Sequence, residues 1–354
     1  MKLTIKDIAR ECKVSPAAIS NALNNKGRLK EDTRKKILAT IKKLKYDPYK
    51  NMPWVRKTST KFIGFVIPAS KSDSFYNYAM ARAKNAISEK GYNCIMYFDW
   101  EIARITTDEL HKGRNNIPCD GLIFFCPYQN WDQSLQVLKS WDIPCTLIRR
   151  ETRIKGVTML SDNDSQGTLT AMQYLHQLGH RRIGLITVDP GIQNFLEARR
   201  RTYEEFMGRP GLENNAAWTF VFAQNRHAPV FDDWLKNVMD APSPPTAFFC
   251  WDDDLAIRLI KSLARLGRRV PDDVAVVGYD NDYVGEQFHP ALTTVNIPVT
   301  EMIEMACRIV FDELNGREGE KVLVEKISTI EFTNELVIRE SCGARLTGKQ
   351  SVVG

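Results

Sequence analysis

At 354 residues the chain is too long for one compact core and calls for two or three domains. Its 43% hydrophobic and 26% charged residues are ordinary for a water-soluble protein, and no apolar run approaches the roughly 18 residues needed to cross a bilayer. The net charge of +6 is unevenly spread: residues 1–61 hold 17 Lys and Arg against 5 Asp and Glu, whereas the rest holds 32 against 38. A basic head on an acidic body points to a head that meets a polyanion. A solvated basic tail is the plainer reading, and the helical periodicity of the head argues against it.

The amino end turns polar at once after Met1-Lys2-Leu3, so no secretory leader is expected and the cytoplasm is the expected compartment. Cys12, Cys94, Cys119, Cys126, Cys145, Cys250, Cys307 and Cys342 are scattered, with no C-x-x-C pair. They read as small core hydrophobes rather than a disulfide or metal framework. No metal and no cofactor is expected.

In the head, Ile5, Ile8, Ala9 and Cys12 recur at helical spacing and give one apolar face. Lys13-Val14 is the turn. Ser15-Pro16 opens a second helix, Ser being a favoured N-cap and Pro losing nothing at the first helical position. That helix buries Ile19, Ala22 and Leu23, and a third carries Ile37, Ile41 and Leu44 on one face. Two short helices with a tight turn and a buttressing third make a helix-turn-helix unit, whose second helix suits the major groove.

These residues resemble the LacI/GalR family of regulators. Thr4-Ile5-Lys6-Asp7-Ile8-Ala9, Val14-Ser15, Ile19-Ser20, Ala22-Leu23-Asn24 and Thr33-Arg34 fall on the family's head motif, and the likeness runs to Glu335-Leu336-Val337-Ile338-Arg339-Glu340-Ser341. The resemblance places Pro16, Ala17 and Asn21 at base-reading positions. It places Thr4, Ser15, Ser20, Asn24 and Arg28, with Lys6 counted beside them, where phosphates are held or the groove is flanked. Asn21 stands where most relatives carry Arg, and Asn pairs with adenine where Arg favours guanine. By the same resemblance residues 48–61 form a hinge on DNA, with Val55 as the apolar wedge and Met52 one turn earlier. Pro53-Trp54 departs from the family pattern, and a disordered basic linker is the alternative.

From Phe62 the pattern changes to apolar runs alternating with helical stretches. Strands are expected over 62–67, 94–98, 121–125, 145–148, 183–186, 219–222, 247–250 and 274–277, and helices over 75–90, 167–178, 197–207 and 255–266. Continuous apolar strands between helices signal α/β architecture with parallel sheets covered on both faces. Two such series in tandem give two doubly wound lobes, with ligands bound in the cleft at the strands' carboxyl ends. This resembles the periplasmic-binding-protein-like body of LacI regulators, with interlobe crossings expected near 160–162, 289–292 and 319–324. The expected division is a head over 1–47, a hinge over 48–61, a body over 62–341 and a loose polar tail over 342–354. Within the body, lobe one spans about 62–160 and 292–320, and lobe two about 162–290 and 322–341.

The resemblance puts Phe75, Tyr76, Arg199 and Asp253 at effector positions. The plainer reading makes Phe75 and Tyr76 core filling and Asp253 a helix N-terminal residue. Arg149 occupies a place where relatives often have Asp. Beside Arg199 it favours an anionic effector such as a sugar acid or sugar phosphate, or else it forms a surface or interlobe salt bridge. Trp100, Trp131, Trp218 and Trp251 either stack on a sugar ring or fill core.

No G-x-S-x-G elbow, P-loop or H-E-x-x-H is present, and the five histidines show no ligand spacing. An enzyme is not expected. A sugar-binding transport protein shares the expected body, but a basic DNA-binding head is foreign to it. The expected function is a ligand-responsive transcription regulator, by family habit a repressor, binding a pseudo-palindromic double-stranded DNA operator as a homodimer and switched by a sugar-like effector.

Overall fold

The computed structural model describes residues 5–23, 30–44, 59–68, 74–108, 114–126, 131–189, 194–223, 230–316, 328–343 and 352–353. In the head, α1 (Ile5–Cys12), α2 (Pro16–Leu23) and α3 (Glu31–Lys43) close around Ile8, Ile19 and Ile37, each without solvent exposure. Ser15 Oγ accepts the Ala18 N–H at 3.2 Å, so a hydroxyl caps α2 while Pro16 fills its first position. Lys13 takes the left-handed conformation and ends α1, with Val14 N–H returning to the Ala9 carbonyl at 3.0 Å.

The body begins with β1 (Phe62–Ile67), α4 (Ser74–Glu89), β2 (Asn93–Phe98), α5 (Asp99–Thr107), β3 (Gly121–Phe125), α6 (Asp132–Ser140), β4 (Cys145–Ile148) and β5 (Thr158–Asp162). There follow α7 (Asp164–Gln177), β6 (Ile183–Val188), α8 (Asn194–Met207), β7 (Thr219–Phe222), α9 (Phe231–Met239), β8 (Ala247–Cys250), α10 (Asp253–Arg265), β9 (Ala275–Asp280) and α11 (Tyr283–Gln287). The last elements are β10 (Thr293–Asn296), α12 (Val299–Gly316), β11 (Ser328–Phe332), β12 (Glu335–Val337) and β13 (Val352–Val353).

Lobe one is a six-stranded parallel sheet in the order β11-β5-β4-β3-β1-β2. Lobe two has seven strands in the order β13-β12-β10-β9-β8-β6-β7, parallel from β10 to β7. Strands β12 and β13 run antiparallel at its edge. Strands β3 and β8 are buried along their whole length, as parallel strands covered by helices on both faces must be.

The chain passes between lobes at three places. The first lies after β5, near the expected position. The second falls between Asn296 and Val299, not at 289–292, because Thr293–Asn296 pairs parallel with β9 and so belongs to lobe two. The third falls between Phe332 and Glu335, not at 319–324, because β11 pairs with β5 and extends lobe one. Both strands escaped the reading of the sequence because each is short and polar at alternate or terminal positions, which disguises the apolar run.

Of the stretch expected as a loose tail, Cys342 is buried and Val352–Val353 pair with Leu336 and Val337. Two β-branched residues there satisfy backbone groups that β12 would otherwise present at an open edge.

Candidate functional sites of the head and the interlobe cleft

On the head, Ser15, Pro16, Ala17 and Asn21 lie exposed along the start and outer face of α2. The helix holds that face outward because Ile19 and Ala22 are buried on the opposite one. Lys6 and Ser20 lie in α1 and α2, although their side chains are outside the described residues. Thr4, Asn24, Arg28, Met52 and Val55, and with them Pro53 and Trp54, also lie outside the described residues.

In the body, the cleft residues sit just past strand carboxyl ends. Cys126 follows β3, Arg149 follows β4, and Asp280 and Asn281 end β9; all four take positive φ, at 47°, 58°, 103° and 56°. A non-glycine residue reaches that region at a cost, and such residues gather at ligand sites.

The centre of the cleft is an ion network around Asp164, the first residue of α7. Arg199 on α8 donates from Nε to Asp164 Oδ1 at 2.7 Å, and Arg149 donates from Nη2 to Oδ2 at 2.9 Å. Arg149 Nη1 stands 3.1 Å from Asp162 Oδ2, and Arg199 Nη2 stands 3.5 Å from Asp280 Oδ1. Arg199 also donates from Nη1 to the Trp251 carbonyl at 2.6 Å, and its guanidinium lies 3.4 Å from the centre of the Tyr279 ring. Asn334, in the third crossing, donates to Asp162 Oδ2 at 2.9 Å and to the Tyr279 hydroxyl at 2.8 Å. Residues of the first and third crossings therefore meet in one buried polar cluster.

Burial works against charge on both arginines, yet Asp162 and Asp164 outweigh it and hold Arg149 firmly protonated, and Asp164 does the same for Arg199. Burial would raise the Asp164 carboxyl, but the two guanidiniums bring it below the usual carboxylate range. Asp280 goes the other way: burial pushes it well up, and Arg199 at 3.5 Å only partly opposes this.

The remaining expected effector residues are placed differently. Asp253 is fully buried as the first residue of α10; its Oδ1 accepts the Thr294 hydroxyl at 2.6 Å and its Oδ2 the Asp282 N–H at 2.7 Å. Both oxygens are engaged inside lobe two, which is the plainer of the two readings of this residue. Tyr76 is buried edge-on against Phe125, with ring centroids 5.7 Å apart, and Phe75 is half-buried 5.5 Å from the same ring. Trp131 and Trp218 fill core, Trp100 is exposed, and Trp251 alone of the four reaches Arg199. Asp162, Asp164, Tyr279, Asp280 and Asn334 were not singled out in the sequence, although the run Asp162-Asn163-Asp164 at the start of a helix was a visible signal.

Residues 4–49 match the model of bacterial regulatory proteins of the lacI family, and residues 172–342 match the periplasmic binding protein-like domain. The chain belongs to the LacI family. The regulator is 26% identical over 356 residues to the HTH-type transcriptional repressor PurR of Pasteurella multocida (strain Pm70), covering 97% of this chain and 99% of that protein. It is 27% identical over 330 residues to the probable HTH-type transcriptional repressor ExuR of Bacillus subtilis (strain 168), covering 91% and 95%. Its fold is that of the transcriptional regulator CelR–cellobiose complex, with a TM-score of 0.64 and 23% identity over 96% of this chain and 99% of that one. The lac repressor dimer bound to operator and the anti-inducer ONPF gives 0.62 and 19% over 97% and 100%. The regulator is thus a DNA-binding transcription regulator of a family that does not act by catalysis. No described helix is long and apolar enough to cross a membrane.

Proposed function

We propose that the regulator is a repressor that binds a pseudo-palindromic DNA operator as a homodimer and changes its grip when a small polyhydroxylated effector enters the interlobe cleft. The observation that carries this reading is the network in which Asp164, at the first crossing, joins Arg149 of lobe one to Arg199 of lobe two. A ligand that exchanges hydrogen bonds with this network has a differential interaction with the two lobe arrangements, which is what switching requires. The repressor names of the relatives and the cellobiose bound by a protein of the same fold agree with it.

The charge balance favours a neutral effector over the anionic one that Arg149 first suggested. Both guanidiniums are already engaged by carboxyl groups among the described residues, Arg149 by Asp162 and Asp164 and Arg199 by Asp164. A further buried anion would find neither guanidinium without a counter-charge already in place. Hydroxyls, which both donate and accept, can join such a network without adding charge. For pairing, the apolar side chains exposed on the edge strand, Met96 and Phe98, and on α11, Tyr283 and Val284, offer material for an isologous interface.

The test has two parts. The whole chain is expected to bind a palindromic duplex tightly and with strong salt dependence, while a chain beginning at Lys61 is expected not to bind; equal binding by both overturns the assignment of the head. Neutral mono- and disaccharides are expected to raise the melting temperature of the body more than uronic acids or sugar phosphates do. Stabilisation by the acids or phosphates alone overturns the neutral-effector reading.

A further inference from the structure

The carboxylate of Asp120, just before β3, collects four hydrogen bonds from three consecutive residues where the chain enters the body. Ser59 Oγ donates to Oδ2 at 2.6 Å, and the Lys61 N–H donates to the same oxygen at 3.0 Å. The Thr60 N–H and hydroxyl donate to Oδ1 at 3.0 and 2.9 Å. In return, the Asp120 N–H donates to the Phe62 carbonyl at 2.8 Å. On the opposite flank the Asn93 N–H donates to the Lys61 carbonyl at 2.8 Å, and Lys61 Nζ lies 4.5 Å over the Tyr92 ring. The entering chain is gripped from both sides.

Lys61 takes a φ of 59°, a conformation that a residue with a Cβ does not choose locally. The turn is therefore imposed by its bonds. Those bonds are not needed to build the lobe: β1 is paired on both sides by β2 and β3, and Ser59, Thr60 and Lys61 are exposed. What the Asp120 carboxylate fixes is the backbone of Ser59, Thr60 and Lys61, where the chain enters lobe one.

We propose that Asp120 is a positioning residue for DNA binding, clamping the end of the linker to lobe one so that a movement of the lobe reaches the head as a change of direction. The proposal rests on the reading of the head as the DNA-binding element. A tether free to swivel lets the two heads of a dimer meet half-sites at several separations, with a lower effective concentration at each. A clamped tether favours one separation, which operator geometry then has to match.

The probe is the palindromic duplex that the wild-type chain selects from a randomised pool, together with derivatives carrying one base pair more or fewer at the centre. Full-length Asp120→Ala is expected to bind the selected duplex about tenfold more weakly, and to lose most of the wild-type preference for it over the two derivatives. The melting temperature of the body is expected to stay close to that of the wild type. Thr60→Val and Ser59→Ala remove donors instead of the acceptor, leave the core untouched, and together are expected to reproduce the loss of spacing preference. Two results overturn the proposal: unchanged affinity and spacing preference in all variants, or an affinity loss equal on every duplex and accompanied by a lower melting temperature, which marks a merely structural residue. If the wild-type chain selects no duplex, the DNA-binding reading itself falls and the clamp with it.

Discussion

Asp164 and Arg199 lie 35 residues apart and meet through a single short hydrogen bond, Arg199 Nε to Asp164 Oδ1 at 2.7 Å, with the other oxygen of the same carboxylate held by Arg149. One carboxyl group thus serves as counter-charge for two buried guanidiniums that belong to different lobes. Removing it leaves both short of compensation.

Asp164→Asn is expected to lower the unfolding free energy of the body by roughly 3 kcal/mol, the cost of breaking a buried ion pair from one side. Asp280→Asn is expected to cost less than about 1 kcal/mol, since its contact with Arg199 is long, at 3.5 Å, and burial already works against its charged form. Urea titration of the two variants checks the ranking. Equal losses would remove Asp164 from the centre of the network.

The pH dependence of stability separates two kinds of buried carboxyl. Asp164 titrates below its unfolded value, so its contribution is present above about pH 4 and is lost as pH falls through the folded pKa. Burial raises Asp253 well above its unfolded value, so its contribution is complete below about pH 4 and is lost as pH rises toward the folded pKa. Asp253→Asn is neutral at all pH, can accept the Asp282 N–H, and can donate to Thr294 if that hydroxyl turns round. It is expected to be neutral or stabilising at pH 7 and to flatten the decline of stability with rising pH. A wild-type decline that persists unchanged in the variant would show that the slope arises elsewhere.

Gly167→Ala probes the packing of α7 beneath the network. An added Cβ would stand 2.6 Å from the Tyr279 hydroxyl, 2.9 Å from Asn334 Cβ and 2.9 Å from Val295 Cγ1. Alanine gains about 1 kcal/mol in helix propensity. The overpacking is expected to exceed this and leave the body about 1–2 kcal/mol less stable. A melting temperature at or above that of the wild type would mean the neighbours give way freely.

For the head, Asn21→Arg is expected to move base preference at one symmetric position per half-site from adenine toward guanine, by about 1–3 kcal/mol of discrimination. Selection from randomised duplexes with both proteins reads this directly. Identical selected sequences would remove Asn21 from the readers.

Much of this architecture was legible because parallel strands buried on both faces must be apolar throughout. Strands β1, β3, β4 and β8 coincide residue for residue with the runs that mark them. The short β10 and the half-exposed β11 lack that signature, and misplacing them moved two crossings. The cleft was half legible. Arg149 and Arg199 drew attention through the positions that the family resemblance gives them, but their partners did not. Asp162, Asp164 and Asp280 are ordinary polar residues at strand and helix ends, and nothing local distinguishes a buried one from a solvated one.

The sequence alone determined the basic helix-turn-helix head, with its Ser15-Pro16 start and buried Ile8, Ile19 and Ile37, because capping and 3.6-residue periodicity are local properties. It likewise determined two α/β lobes. Only the tertiary structure decided that Arg149 faces two carboxylates, that Asp253 is turned into lobe two, and that Asp120 holds the entering chain at Ser59–Lys61. Those facts depend on which residues far apart in the chain the sheet order brings together. The charge of a side chain is written in the sequence; whether another charge already neutralises it is settled by the fold.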